Sequence, residues 1–169
     1  VLQNNQRVTA SQYYYMDNQN TIKEYIEDVI QSSRFAVLAT EGNGQPHASL
    51  VAITPSGNIR KLIFATYRNT LKYRNLATNN RVAVLIESAH LNLKGGNESS
   101  FLTIIGYAEE ISTAENEVAC HAHLKRHPEM ESFINSSDCV FFLVIAQSYQ
   151  VVNGVDDIRW ITPESLDAI

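Results

Sequence analysis

The stretch 35–66, FAVLATEGNGQPHASLVAITPSGNIRKLIFAT, carries the pattern that decides the fold of this 169-residue chain. Apolar, β-favouring runs at 35–40, 48–53 and 62–66 are separated by two turn signals, Gly-Asn-Gly at 42–44 and Pro-Ser-Gly-Asn at 55–58. Connections this short join antiparallel strands, because a parallel pair needs a crossover of about a dozen residues or more. The stretch therefore predicts an antiparallel β-meander.

The rest of the chain predicts further strands with helices between them. We expect strands over 82–86, over 101–111 with an interruption at Gly106, over 140–145 with an extension towards Val152, and over 158–161. We expect helices over 21–33, with Thr21 as N-cap, over a short segment from Thr70, and over 113–125. Six or seven antiparallel strands with flanking helices predict a mainly β fold that is closed, or nearly closed, into a barrel.

Composition excludes several classes of function. The formal net charge is −5 and no block of Lys and Arg stands out, which argues against a nucleic-acid partner. No uninterrupted apolar run reaches the roughly 18 residues that a membrane helix needs. Cys120 and Cys139 lack Cys-x-x-Cys spacing and are expected to be buried free thiols in a reducing cytoplasm. We expect one domain over 21–169, preceded by a Gln- and Asn-rich segment over 1–20. This segment is a mobile arm, a leader before a true start at Met16, or a strap across a partner.

The segment 64–76, FATYRNTLKYRNL, is the best candidate for a binding site. A strand is expected to end at Thr66 and a helix to begin near Thr70, and the N-terminus of a helix favours an anion. The hydroxyls of Thr66 and Thr70 add donors, and Lys72, with Arg68, adds positive charge. The segment predicts a phosphate site. The alternative is a plain N-cap at Thr70 followed by solvated basic side chains.

The order and separation of five segments extend this interpretation. They read FAVLAT at 35–40, GQPHASLV at 44–51, LIFAT at 62–66, TLKYRNL at 70–76 and NNRVAVL at 79–85. Together they resemble the pyridoxamine 5′-phosphate oxidase-like FMN-binding split barrels, and a weaker likeness continues through GYAEE at 106–110. The resemblance implies a six- or seven-stranded antiparallel split β-barrel that binds FMN between the two subunits of a homodimer.

The resemblance also assigns cofactor-binding positions. The strand after Pro46 corresponds to the one whose backbone follows the isoalloxazine edge, and the next strand end contacts the ribityl phosphate. The helix start resembles the family's Ser-Arg-Lys phosphate grip, with Leu71 in place of the arginine. Trp160 corresponds to a tryptophan that the second subunit places near the flavin, or else it packs the last strand. The implied residues are Ser49, Leu50, Val51, Ala52, Ala65, Thr66, Thr70, Leu71, Lys72 and Trp160.

The same resemblance argues against the oxidase reaction itself. A phosphate-binding arginine of the oxidase is replaced by Ser49, and its substrate-phosphate lysine corresponds to Thr54. The oxidase's tyrosine and arginine on the later helix fall near Ala119 and His123, and its C-terminal Arg-x-His has no counterpart. We therefore expect a relative of the oxidase with a different substrate.

The histidines near 121–127 invite a metal or haem interpretation. His121 and His123 point to different faces of a helix, and no Glu follows His123, so no zinc-protease motif exists. We expect surface or interface histidines and no metal site, with metal or haem contact as the alternative. His47, beside the predicted flavin strand, is expected to line the barrel rim, with a hydrogen bond to the flavin or a substrate as the alternative.

These observations predict an FMN-binding flavoprotein that acts as a flavin-dependent oxidoreductase with a small-molecule electron donor or acceptor. The flavin would perform the redox chemistry, so no protein side chain is expected to be an obligatory nucleophile. The alternatives are a flavin- or haem-binding module without turnover, and an enzyme of the same fold that uses a deazaflavin or nicotinamide partner.

Overall fold

The computed structural model describes residues 19–88, 100–114, 116–154 and 156–167, which form five α-helices and eight β-strands. The helices are α1 Gln19–Ser32, α2 Leu71–Thr78, α3 Glu117–Arg126, α4 Glu131–Ile134 and α5 Pro163–Asp167, with a 3₁₀ turn at Pro128–Met130. The strands are β1 Phe35–Gly42, β2 Gln45–Ala52, β3 Thr54–Ser56, β4 Asn58–Tyr67, β5 Arg81–Ser88, β6 Ser100–Ile111, β7 Cys139–Val152 and β8 Ile158–Ile161.

All the strand pairs are antiparallel and belong to one sheet. Seven strands follow each other in the order β2-β1-β5-β6-β7-β4-β3, and β8 pairs with β7 off this path. The sheet curls until β2 contacts β4, although these two strands form no ladder in the described residues. The result is the predicted split β-barrel with flanking helices, and β2 is left with one unpaired edge.

The interior of the barrel is built by the alternation of side chains along each strand. In β1, Ala36, Leu38 and Thr40 are buried while their sequence neighbours are partly or largely exposed. The apolar face of α1 covers the core with Ile26 and Val29, both fully buried. Burial of a side chain of this size contributes about 1.5–3 kcal/mol. The inward-facing apolar residues of the strands and the apolar face of α1 thus form one hydrophobic core.

A β-bulge bends the two longest strands. The register between β6 and β7 shifts between Ile105 and Gly106. A Cβ atom added at Gly106 would lie 2.0 Å from the carbonyl oxygen of Ile145. Only glycine permits this approach, because every other residue carries a Cβ atom. The strand interruption predicted at Gly106 is therefore a bulge within a continuous strand.

Helices α3 and α4 cover the other face of β4 and β7. They form a second apolar cluster, whose buried members are Ile63, Ala65, Cys120 and Phe141. Phe133 of α4 packs edge-on against Tyr67, with ring centroids 4.5 Å apart. No helix in the described parts of the chain is both long and apolar enough to span a membrane.

Several predicted boundaries were wrong. Helix α1 begins at Gln19, so Thr21 lies inside the helix and is not its N-cap. Helix α3 begins at Glu117 instead of 113, because the N–H of Asn116 donates to the carbonyls of Ser112 and Thr113 and closes a turn there. Residues 1–18 of the predicted arm lie outside the described residues. The prediction of a single domain over 21–169 stays a prediction.

Candidate functional site

The turn between β4 and α2 contains the residues for which the sequence predicts an anion site. The Thr70 hydroxyl donates to the carbonyl of Tyr67 at 2.8 Å and accepts from the backbone N–H of Tyr73 at 3.4 Å. The backbone N–H of Thr70 donates to the carbonyl of Tyr67 at 3.3 Å, and the first bond inside the helix runs from the N–H of Arg74 to the carbonyl of Thr70. A helix leaves its first four N–H groups without acceptors inside the helix. Those of Thr70 and Tyr73 are satisfied here, and those of Leu71 and Lys72 have no acceptor among the described residues.

Lys72 supplies the positive charge at this helix end. Its side chain is half-buried, and burial lowers the pKa of its ammonium group. Within the part of the chain that the structure describes, Lys72 forms no ion pair or side-chain hydrogen bond. A partly desolvated ammonium without a carboxylate gains more from a bound anion than a fully solvated one does. Leu71, in place of the family's arginine, is 45% exposed and contributes its backbone only.

Helix α2 is held against β1 by one buried polar contact. The Asn75 side-chain amide donates to the Thr40 hydroxyl at 3.1 Å, and both side chains are buried. A Cβ atom added at Gly42 would lie 2.3 Å from Oδ1 of Asn75, so the absence of a side chain lets the helix approach the strand. These contacts fix the direction in which the N-terminus of α2 points.

The threonine hydroxyls are less available than the sequence suggests. Thr66 is buried, and its hydroxyl lies 3.0 Å from the hydroxyl of Thr70. Since the Thr70 proton is directed at the carbonyl of Tyr67, Thr66 donates to Thr70. A phosphate would receive protons from these groups only after the hydroxyls had rotated.

Arg68 does not replace the missing arginine. Its guanidinium donates to the Glu110 carboxylate at 2.7 Å and to the Tyr73 hydroxyl at 2.6 Å, and it stacks over the Tyr73 ring. Desolvation acts to lower the pKa of Arg68, but the bonds and charge of Glu110 and Tyr73 outweigh it and raise the pKa. The positive charge of this side chain is therefore engaged elsewhere.

The side chains of β2, the predicted flavin strand, point alternately into the barrel and outward. Ser49 pairs with the buried Leu38 and shares its inward face, and its Oγ is buried without a hydrogen-bond partner. Leu50 points outward and is 69% exposed, whereas Val51 and Ala52 are buried. The far edge of β2 carries backbone groups outside any ladder of the described sheet. A ligand at this edge can bond to alternate N–H and C=O groups.

Two predicted site residues lie apart from this group. Ala65 faces the second cluster under α3 and α4, so only its backbone can serve a site next to Thr66. Trp160 is 61% exposed on β8, across from Gln150 of β7. β8 pairs with the same edge of β7 as β4 does, beyond the end of the β4 ladder.

The positions that correspond to the oxidase's substrate-phosphate ligands are filled differently. Nδ1 of His123 lies 2.9 Å from the Thr54 hydroxyl, and Nε2 of His127 lies 2.9 Å from the carbonyl of Ile53. Both imidazoles are fully buried, with ring centroids 4.8 Å apart. Burial, followed by the neighbouring His127 and Arg126, lowers the pKa of His123 to about 4. A neutral Thr54–His123 pair cannot supply the charge that a phosphate requires.

The expectation of surface or interface histidines was wrong for His123 and His127 and holds for the exposed His121. Positions 120, 123 and 127 lie on one side of a helix, and this spacing was the signal that α3 buries its histidines against the sheet. Among the described residues, no three His, Cys, Asp or Glu side chains are placed to hold a metal ion.

Comparisons with known proteins agree with this architecture. The family model for pyridoxamine 5′-phosphate oxidase matches residues 22–143. No curated protein matches the chain significantly.

Solved structures with the same fold come from several bacteria. A haem-binding protein from Mycobacterium smegmatis is 26% identical with a TM-score of 0.73, over 86% of this chain and 60% of that one. A general stress protein 26-related protein of the pyridoxinephosphate oxidase family, from Clostridium acetobutylicum, is 15% identical with a TM-score of 0.68, over 88% and 99%. An FAD-binding protein from Mesorhizobium loti is 18% identical with a TM-score of 0.61, over 75% and 90%.

The chain thus spans about three-fifths of the length of the mycobacterial protein. The two lower identities show the fold alone, whereas the family model covers most of the sequence, from α1 to the first strand residues of β7. On the strength of that match, the chain belongs to the pyridoxamine 5′-phosphate oxidase family.

Proposed function

We propose that this protein binds FMN and acts as a flavin-dependent oxidoreductase. The observation that carries the proposal is the N-terminus of α2, where the backbone N–H groups of Leu71 and Lys72 and the half-buried ammonium of Lys72 have no partner among the described residues. This donor set suits a phosphate monoester, the group that distinguishes FMN from riboflavin. With one lysine and no arginine, the site would hold the phosphate less tightly than the family's Ser-Arg-Lys grip.

The rest of the cofactor would follow strand β2. The unpaired edge of β2 offers backbone donors and acceptors to the polar edge of the isoalloxazine ring at positions 49–52. The buried, unpartnered hydroxyl of Ser49 would gain a partner from the ribityl chain or phosphate, which offsets the cost of leaving it unbonded. β2 and β4 contact each other across the split, so this edge and the turn after β4 can serve one ligand.

The outer apolar face would form a homodimer around the cofactor. We define this face as four exposed side chains on β1, β2 and β5: Phe35, Val37, Leu50 and Leu85. Leu50, Val37 and Leu85 are direct cross-strand neighbours, so the apolar surface is continuous. Such patches on a folded domain are typical of protein interfaces. Trp160, which is exposed on β8, would then contribute to the flavin site of the partner copy.

Bound flavin would supply the electron transfer, and the residues of the chain would bind and orient it. The electron donor or acceptor would be a small molecule other than pyridoxamine 5′-phosphate. The reason is that Thr54 and His123, which stand where the oxidase binds its substrate phosphate, are buried, neutral and bonded to each other.

A haem-binding role is the second candidate, favoured by the likeness to the mycobacterial haem-binding protein. Nε2 of His123 and Nδ1 of His127 form no hydrogen bond within the described residues, although Nδ1 of His127 lies 3.8 Å from the Glu129 carboxylate. Both rings are fully buried under α3. A haem could reach either nitrogen only after α3 had moved away from the sheet. Any haem would therefore be held by groups outside this pair.

Ligand titration tests the proposal. Purified protein is titrated with FMN, riboflavin and haemin, followed by flavin fluorescence and by absorption in the Soret region. We expect FMN to bind at least tenfold more tightly than riboflavin, and reduced nicotinamide to bleach the bound flavin. Binding of haemin without FMN binding would support the second candidate. The oxidoreductase role would be lost, but not FMN binding, if no physiological reductant bleached the flavin.

A further inference from the structure

A cavity of about 400 Å³ lies under helix α3, on the face of the barrel away from the outer apolar face. Its walls come from the second apolar cluster and from the polar ends of α3 and α4, and both cysteines of the chain line it. We propose that Cys120 and Cys139 form a dithiol site in this cavity that a hydroperoxide oxidises to an intramolecular disulfide.

The position of the two thiols supports the proposal. Cys120, on the sheet-facing side of α3, packs in one cluster with Ala65 and Phe141, which lie opposite each other across β4 and β7. Cys139 precedes Phe141 by two residues on the same face of β7, a separation of about 7 Å between Cα atoms. The two sulfur atoms therefore open onto the same space and belong to neighbouring positions.

The electrostatics of the thiols agree with this proximity. Burial raises the pKa of Cys139 to about 11, and the nearby Cys120 contributes to the rise, followed by Asp138. Burial also raises the pKa of Cys120, against a smaller opposing effect of a bond to Thr113. Because both cysteines line one cavity and belong to one apolar cluster, a shift of α3 towards β7 would bring them towards disulfide geometry, which needs Cα atoms about 4.4–6.8 Å apart.

The reaction balances without help from a cofactor. One thiolate attacks the terminal oxygen of the hydroperoxide, which forms a sulfenic acid and releases an alcohol, or water from hydrogen peroxide. The second sulfur then displaces the hydroxyl as water and forms the S–S bond. The dithiol loses two electrons and two protons, and the peroxide is reduced. The apolar lining of Leu124, Ile134 and Phe141 suits an organic hydroperoxide.

The raised pKa values determine the rate of this reaction. The thiolate is the reacting species, so oxidation is expected to be slow at neutral pH and to accelerate about tenfold per pH unit below the thiol pKa. This pH dependence distinguishes the cavity thiols from an exposed cysteine, whose reaction would level off near pH 8.5.

The experiment oxidises the whole chain with hydrogen peroxide and maps its peptides without reduction. Dimedone is present to capture any sulfenic acid that lasts. We expect a Cys120–Cys139 cross-linked peptide, reversed by dithiothreitol, and little dimedone adduct. The variants Cys120→Ser and Cys139→Ser should each accumulate the adduct at the remaining cysteine, because no second thiol resolves it. Serine at 120 keeps a hydroxyl next to Thr113.

A second measurement needs no variant. Phenylarsine oxide bridges two neighbouring thiols with loss of water, so one equivalent should protect the unmodified protein from oxidation. The oxidised chain should also unfold roughly 5 °C or more higher than the reduced chain, because the bond closes a loop of about 20 residues. Equal dimedone labelling of all three proteins, or disulfides between chains only, would overturn the proposal.

Discussion

Lys72 is the residue on which the proposed cofactor site depends most. Its ammonium is half-buried and unpaired in the described residues. The backbone N–H groups of Leu71 and of Lys72 itself also lack acceptors there. The sequence predicted the positions of Thr70 and Lys72 because a strand end, a cap and a helix start are local signals. The pairing of Arg68 with Glu110 could not be predicted, since the partner lies 42 positions away.

Substitution Lys72→Ala should weaken FMN about tenfold and leave riboflavin nearly unchanged, because only FMN carries a phosphate that the ammonium can bind. Fluorescence titration with both flavins measures the two dissociation constants. Arg74→Ala is the matched control, since it removes a cation that is exposed on the same helix. Equal losses for both flavins would remove Lys72 from the phosphate role.

His123 gives the fold a dependence on pH. Its pKa is about 4 in the folded protein and about 6.5 in an unfolded chain. The unfolded state therefore binds a proton between these values and the folded state does not. The contribution of His123 to the free energy of unfolding is fully present above about pH 6.5. It falls by up to about 1.4 kcal/mol per pH unit as the pH drops towards 4, which makes about 3 kcal/mol in all.

Denaturant unfolding between pH 4 and 8 measures this loss. In His123→Asn the side-chain amide can still bond to Thr54 but does not titrate, so the slope between pH 6.5 and 4 should flatten. His121→Gln changes an exposed histidine of the same helix and should retain the slope of the unmodified protein. If both variants kept that slope, another group would be responsible for the acid sensitivity.

At the scale of elements, the bulge between β6 and β7 requires a residue without a side chain at position 106. Gly106→Ala would place a methyl group 2.0 Å from the carbonyl oxygen of Ile145, so one of the two strands must move. We expect a loss of about 3 kcal/mol or more in the free energy of unfolding. Urea unfolding followed by circular dichroism measures it.

Gly57→Ala provides the comparison for this prediction. Gly57 has a φ of +83°, but no heavy atom lies within 4 Å of a Cβ atom built there. Its substitution should cost only the strain of a left-handed backbone, about 1 kcal/mol. Similar losses in the two variants would mean that the backbone at the bulge yields easily.

The elements that local patterns encode were predicted, and those that distant contacts create were not. The hairpin of β1 and β2 was predicted because two β-favouring runs flank a turn signal. The predicted three-strand meander over 35–66 was wrong, because the third run, in β4, pairs with β3 and β7 and not with β2. Helix α4 has no such pattern. It is held by Phe133 against Tyr67, a contact between residues far apart in the chain. The burial of His123 depends in the same way on Thr54, 69 positions earlier.

At the scale of the whole molecule, the outer apolar face should decide the oligomeric state. Leu50 is 69% exposed, so Leu50→Glu should not harm the fold of one chain, but it would bury a charge in a dimer interface. We expect the variant to be monomeric by light scattering and to bind FMN at least tenfold more weakly. Val118→Glu is the control, because Val118 is 86% exposed on α3, away from that face.

If Leu50→Glu left the mass unchanged, the dimer would use another surface. If it became monomeric and kept full FMN affinity, the cofactor would be held within one chain. The family match and the fold do not depend on either result, because both rest on the sequence and on the sheet order.

The unpaired edge of β2 also bears on the fate of the chain before any ligand arrives. Residues 48–52, Ala-Ser-Leu-Val-Ala, are uncharged and β-favouring, and a free edge of this composition can accept a strand from another molecule. Pro46 blocks only the beginning of the strand. A flavin lying along this edge, as proposed, would cover these backbone groups and so hinder the addition of a strand from another molecule.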